Sequence, residues 1–275
     1  MGAPQCTFGG SLLTGHNPYG RLSTIRADAV LWRDAVILEH SYCTAPFKLL
    51  PPHPLPGGGA RVTQLSVSAG IMAGDRQEIH LNIGMGARVV WTTQSYEKIH
   101  KMPPGAWAER NCRIVLEGGS FLDYSPLPVI PFADSDYRAA TCIDMMDTDA
   151  SLVYREIFCA GRIAQGELFR FRRYRQLLEL RLGGCLLFRE NTDLRPSEQG
   201  EDAPLDGMGF FEGHSHFLTM VFRIPGLNQE EIRQKLHLRS SITAALTALE
   251  DGAFLVRALG HSAEELQNLG EELVF

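Results

Sequence analysis

The sequence has no apolar stretch near the length of a membrane-spanning helix, which predicts a chain that does not cross a bilayer on helices. Its opening, MGAPQCTFGG, has neither the basic segment nor the apolar core of a secretory leader. Cys6 stands where an N-myristoylation signal has serine or threonine. The 6 cysteines (Cys6, Cys43, Cys112, Cys142, Cys159 and Cys185) are far apart and form no CxxC pair. That scarcity predicts reduced thiols in a cytoplasm, not a disulfide framework or a zinc site. A long basic block is also missing, and the formal net charge is −6. The densest positive cluster, RFRRYR from Arg170 to Arg175, interleaves Phe171 and Tyr174 but reads as a solvated strand face. A nucleic-acid partner is not expected.

Catalytic signatures are missing as well. GxSxG, HExxH and P-loop sequences do not occur, and Gly57-Gly58-Gly59 has no Lys-Ser/Thr sequel with which to cradle a phosphate. No serine or cysteine sits in a pattern that nominates an activated nucleophile. His214 and His216 place two imidazoles on one expected strand face, but without a third ligand nearby they read as a surface or hydrogen-bonded pair. The expectation is a protein that is not an enzyme.

What the sequence does have is alternation. With 44% hydrophobic and 21% charged residues, 275 residues are enough to bury a substantial core. In EIHLNI, Ile79, Leu81 and Ile83 face one way while Glu78, His80 and Asn82 face the other. In ARVVWTTQ, Val89 and Trp91 share a face. CRIVLE meets SFLDY across Gly118-Gly119, and LLELRL meets CLLFRE across Gly183-Gly184, both read as hairpins. Many short strands at close spacing predict a mainly β architecture: a sandwich, a barrel or a solenoid-like stack. LLPPHPLPGGGARV from Leu49 and RPSEQGEDAPLDGMG from Arg195 to Gly209 read as a loop and a polar excursion. Toward the end, NQEEIRQKLH reads as a short helix, Asp251-Gly252 as a hairpin turn, and HSAEELQNLGEEL as a closing helix capped by Ser262. The organisation expected is one domain over 1–275, with a strand-rich body over about 21–225 and a mixed helix and hairpin part over about 226–275.

Three carboxylates stand out. Glu156 shares parity with Leu152, Tyr154 and Phe158; Glu167 with Phe169 and Phe171; Glu190 with Leu186 and Phe188. Unpaired charges on apolar faces are strongly disfavoured, so arginine partners are expected, with Arg155, Arg162, Arg173 and Arg181 as candidates. The alternative is a water-filled interior path lined by oxygen ligands suited to a divalent cation.

Four segments in order resemble the urease accessory protein family UreD, called UreH in some bacteria. They are a GG-x-x-x-GD turn at Ala69 to Asp75, with Ala69 in place of the first glycine; a Gly-Ala strand leading to TTQ and a lysine, Gly86 to Lys98; SPLPVIPF, with its proline-spaced stretch at Pro126 to Phe132; and GR-x-x-x-GE at Gly161 to Glu167. APFKLLPPHP near Ala45 resembles the UreH branch. The resemblance implies a β-helical, solenoid-like stack with a few helices near the C-terminus. It implies a non-enzymatic chaperone or scaffold that binds apo-urease, UreF and, through UreF, UreG, in a heteromeric complex dimerised through UreF. Nickel(II) in transit is the implied cargo, with no tightly bound cofactor, and a water-filled tunnel is its implied route. Asp75, Glu156, Glu167 and Glu190 are then expected along the nickel path. Thr92, Thr93, Gln94, Lys98 and Arg162 are expected beside the tunnel or a partner surface, although a hydrogen-bonded corner also accounts for Thr92 to Gln94. A β-solenoid polysaccharide hydrolase or lyase is the alternative function.

Overall fold

The computed structural model describes residues 21–196, 205–237 and 241–274. The readings of the first ten residues and of Cys6 lie outside the described residues, as does the 197–204 part of the polar excursion. The alternating segments build two facing sheets. One contains β1 (Leu22–Trp32), β2 (Ala35–Cys43), β6 (Arg76–Ile83), β9 (Ala108–Leu116), β12 (Asp136–Met145), β14 (Arg173–Leu182) and β15 (Cys185–Leu194). The other contains β3 (Phe47–Leu49), β4 (His53–Pro54), β5 (Ala60–Ser66), β7 (Arg88–Thr93), β10 (Phe121–Tyr124), β13 (Ser151–Cys159), β16 (His216–Arg223), β17 (Thr243–Ala248) and β18 (Ala253–Gly260). The short strands β8 (Glu97–Ile99) and β11 (Val129–Pro131) pair with each other beside the second sheet.

From β5 to β14 the chain passes back and forth between the sheets, and each strand lies parallel to its predecessor in the same sheet. This is the expected mainly β, solenoid-like stack. It corrects the hairpin reading at Gly118-Gly119, because β9 and β10 belong to different sheets. Both edges of β9 are already taken by β6 and β12, so the chain turns a corner and crosses over. Successive corners bond to one another: the Gly86 N–H donates to the Gly118 carbonyl at 3.1 Å, and the Ser151 N–H to that of Ser120 at 2.8 Å. Hairpins survive at the ends of the stack, at β14–β15 across Gly183-Gly184 and at β17–β18 beside Gly252. The proline-rich segment from Leu49 is a loop apart from the brief pairing of β4 with β5.

Parallel stacking places equivalent residues in rows. Ala27, Leu81, Ile114, Ile143 and Leu180 form one interior row, all buried. Helices α1 (Gln229–His237) and α2 (Ala263–Glu272) occur only in the C-terminal part, as expected. Asn228 and Ser262 cap them through the N–H groups of Glu230 and Glu265. Leu266 and Leu269 of α2 and Ile232 and Leu236 of α1 cover Val153, Met220 and Phe222 on the outer face of the second sheet. Both faces of that sheet are therefore buried there.

Candidate functional site: a polar seam ending in a two-glutamate cavity

The interior rows change character across the solenoid. Two rows away from the Leu81–Leu180 row, the residues stacked in register are Gln77, Arg110, Ala139, Gln176 and Thr192. Opposite them, Trp91, Tyr124 and Tyr154 stack on the second sheet. Burial makes unpaired polar groups costly, and these side chains pair with one another. Arg110 donates from Nε to Gln77 Oε1 at 2.7 Å and from Nη2 to Glu97 Oε2. Trp91 Nε1 donates to Gln64 Oε1 at 3.3 Å. The Tyr124 and Tyr154 rings stack at 5.7 Å. Gln176 Nε2 donates to the Tyr154 hydroxyl at 3.1 Å and to Thr141 Oγ1 at 3.3 Å. Burial pushes the tyrosine hydroxyls of this seam well above their ordinary value, and it pushes the Cys112 thiol up to about 12. All remain protonated donors at neutral pH.

The seam ends in a small cavity of about 20 Å³, with room for a water molecule. Glu156 and Phe158 of β13, and Phe217 and Thr219 of β16, line it from one sheet; Tyr174, Gln176 and Leu178 of β14, and Glu190 and Thr192 of β15, line it from the other. Glu156 has no arginine bonded to it. Its two oxygens accept from the Tyr154 hydroxyl at 2.7 Å and the Tyr174 hydroxyl at 2.6 Å. Burial raises its carboxyl above the ordinary range and Glu190 adds to that, while the tyrosine donors and Arg110 pull it back. Glu190 is bound on one side only: Arg257 Nη2 lies 2.7 Å from Oε1, while Oε2 is buried without a partner. Gln176 Oε1 is likewise buried without a donor. The cavity is thus rich in oxygen acceptors and short of donors, which suits a cation or a water that brings its own protons.

The other expected residues lie elsewhere. Glu167 departs from the apolar-face reading. It sits in a loop following a 3-10 turn over Ile163–Gln165, bonded through both oxygens to Arg162 and accepting from the Ala133 N–H at 3.3 Å. GELFRF forms no strand, since β14 begins only at Arg173 and Phe169 sits at φ 52°, so the alternation of Glu167 with Phe169 and Phe171 has no pleat to follow. Arg162 stacks on Phe132 at 4.4 Å. Asp75 accepts from the Met72 N–H at 2.8 Å, closing a turn, and burial lifts its carboxyl above the ordinary range despite that bond. Thr93 Oγ1 accepts from the Leu127 N–H at 2.8 Å and donates to the Ser95 carbonyl at 3.3 Å, and the Gln94 N–H bonds the Gln64 carbonyl. Thr92 is half-buried, and Gln94 and Lys98 are exposed. The Lys98 carbonyl accepts from the Ile71 N–H at 2.7 Å, so TTQSYEK folds as a hydrogen-bonded corner.

The expected arginine partners are also redistributed. Arg155 pairs with Asp123, Arg173 with Asp193 and Arg181 with Glu179, leaving Glu190 to Arg257, which the sequence reading did not consider. Nor do the two histidines share a strand face. His214 precedes β16, bonds the Phe211 carbonyl and stacks on His261, whereas His216 bonds Ser215 Oγ. Among the described residues no group of three or more His, Cys, Asp or Glu side chains is placed to hold a metal. In RFRRYR, Phe171 and Tyr174 are buried, which removes the aromatic platform a nucleic acid would need and corrects the solvated-face reading for those two residues. No helix among the described residues is long and apolar enough to cross a membrane.

A family model described as "UreD urease accessory protein" matches residues 23–274. The chain belongs to the UreD family. It is 37% identical over 265 residues to the urease accessory protein UreD of Acetivibrio thermocellus, covering 92% of this chain and 96% of that one. It is 31% identical to the urease accessory protein UreH of Helicobacter pylori, covering 94% and 95% of the two chains. A UreD from Haloarcula marismortui is 31% identical over 85% of this chain and 78% of its own. The motifs that carried the family resemblance cover two loops, Ala69 to Asp75 and Gly161 to Glu167, and two segments in which a short strand meets a corner, Gly86 to Lys98 and Pro126 to Phe132. Their glycines have steric reasons: a Cβ on Gly70 would lie 2.3 Å from the Lys98 carbonyl oxygen, and one on Gly161 would lie 2.1 Å from that of Glu167.

Proposed function

We propose that the chain is a cytoplasmic, non-enzymatic scaffold of urease maturation that passes nickel(II) toward apo-urease by way of the two-glutamate cavity at the end of its polar seam. The observation that carries this reading is Glu156, an interior carboxylate bonded only by tyrosine hydroxyls, facing the half-satisfied Glu190 across a cavity. A structural carboxylate at such a site would be held by arginine. A transit site needs weak, replaceable oxygen ligands, since a closed set would trap the ion. Membership of an accessory family supports the assignment of partners: apo-urease, UreF, and UreG through UreF, in a complex dimerised through UreF. Asp75, Thr92, Thr93, Gln94 and Lys98 serve as corners that keep the stack in register, and the exposed Gln94 and Lys98 are available to a partner. The Arg162–Glu167 pair braces a third corner.

The test is metal content. Urease co-expressed with its accessory proteins and the Glu156→Gln variant should carry less nickel by mass spectrometry, while pull-downs recover the same accessory complex. Unchanged nickel content in a Glu156→Gln, Glu190→Gln double variant overturns the route and leaves scaffolding as the function.

A further inference from the structure

Register places three unlike side chains in one row across the second sheet. Glu156 pairs in register with Thr219, and Thr219 with Arg257. Thr219 and Glu156 both line the cavity. Arg257 follows them, with Ala245 of the edge strand β17 beyond it, and its guanidinium crosses to the other sheet to meet Glu190 at 2.7 Å. It is the one ion pair among the described residues that joins these two sheets at the cavity. Arg257 is 48% exposed whereas Glu190 is 13% exposed. The positive charge therefore stands at the mouth and the negative charge stands within.

We propose that Arg257 is the resident counter-ion of the cavity, a latch that a divalent cation must displace to bind between Glu156 and Glu190. The inference rests on the cation-path reading of those two carboxylates and adds a residue that controls occupancy. Two carboxylates facing one small cavity repel unless a positive charge lies between or beside them. Arg257 supplies that charge when no ion is present. Its half-exposed stem lets the guanidinium regain water when it swings away, and the entering ion takes over the Glu190 carboxylate that it leaves. The Arg257 backbone stays on β18, held between β16 and β17, so only the guanidinium moves when it gives way. Thr219 and the free oxygen of Gln176 remain to contact what enters. A latch of this kind keeps the resting site weak, so that an ion passes through instead of staying.

The probe is manganese(II), which prefers oxygen to imidazole and so avoids surface histidines. Free manganese is read by electron paramagnetic resonance during titration of the full-length chain. Arg257→Gln should tighten manganese binding about fivefold or more, because a competing charge has gone and two carboxylates remain. Arg257→Lys should keep the weak binding of the parent. The same Arg257→Gln change in a Glu190→Gln background should give no gain. Misfolding cannot mimic the expected result, since the readout is a gain of affinity, and unchanged thermal midpoints check the fold of each variant. Equal or weaker binding in Arg257→Gln, or an equal gain without Glu190, overturns the latch. Urease nickel content tests the transit reading separately. A manganese gain with unaltered urease metallation retains the latch and refutes transit, and the converse refutes only the latch.

Discussion

Replacing Arg155 by methionine should be among the most destabilising single changes in the protein, although Arg155 lies outside the cavity. Its side chain is 9% exposed, and its ion-pair partner Asp123 is 3% exposed. Nη2 donates to Asp123 Oδ2 at 2.7 Å and Nε to Ser125 Oγ at 2.8 Å. Its stem lies against Gly270 of α2, where an added Cβ would come within 2.8 Å of Arg155 Cδ. Methionine fills much of the volume but leaves Asp123 as a buried carboxylate with only the Ser125 hydroxyl beside it. Breaking such a pair costs about 3–5 kcal/mol. With about 2.1 cal/mol/K of unfolding entropy per residue over a 275-residue chain, that is a drop in Tm of about 5–9 °C. The cause is the orphaned charge and not the lost contact, so Arg155→Met with Asp123→Asn should recover more than half of the loss. Calorimetry on the four members of the cycle measures the coupling directly. A single variant within about 1 kcal/mol of the parent, or a double variant no better than the single, refutes the argument.

Glu156→Gln should also alter the pH dependence of stability. A carboxyl raised above its ordinary 4.5 in the fold binds its proton more tightly there than in the unfolded chain, so its contribution falls as pH rises from 4.5 through the folded value. Urea midpoints should therefore show the variant gaining on the parent as pH rises above about 4.5, and a pH-independent difference contradicts the assignment. Gly161→Ala, at φ 139° with a carbonyl 2.1 Å from the new Cβ, should cost more than about 2 kcal/mol by thermal melting, whereas Gly183→Ala, with open space around it, should cost less. Asp75→Ala removes the acceptor of the Met72 N–H in a half-buried turn, and a loss of about 1 kcal/mol is expected with no change in cavity manganese binding.

The fold was legible because its period is local. Alternation in EIHLNI and ARVVW marks inward and outward faces whatever the strand pairs with, and the caps at Asn228 and Ser262 are read from a few residues. Pairing is not local. Gly118-Gly119 and Gly183-Gly184 look alike in sequence, yet one is a corner and the other a hairpin, and only the neighbours already on each edge decide. The site was half legible for the same reason. Glu156 and Glu190 were found by parity within their own strands, and they do meet at one cavity. Glu167 failed because GELFRF, read as an alternating strand, is loop up to the start of β14. Arg257, Thr219 and Gln176 were missed, since each matters through a partner on another strand. One signal was present: Gln77, Arg110 and Gln176 all occupy inward positions of apolar strands.

That repeated exception bears on why the seam exists. A parallel stack repeats its rows, so an apolar side chain in one rung is most easily followed by another, as from Leu81 to Leu180. A single buried polar residue would be costly and would have no reason to recur. Here the polar positions recur, broken once by Ala139, and bond to their neighbours: Gln77 to Arg110, Arg110 to Glu97, Gln176 to Thr141 and Tyr154. Satisfaction fails only at the last rung, where Gln176 Oε1 and Glu190 Oε2 are left without donors beside the cavity. If the seam were only a device for fixing the register of the stack, its end would be closed as its middle is. The middle is closed by a fixed cation, Arg110, which would repel a passing metal ion. On the proposed route an ion reaches the Glu156–Glu190 cavity from the C-terminal side of Arg110, through the mouth that Arg257 guards, and Arg110→Gln should lengthen the route accessible to it. Manganese-dependent broadening in side-chain spectra of that variant should extend from Glu156 toward Gln77; broadening confined to the cavity would show that Arg110 is not the barrier.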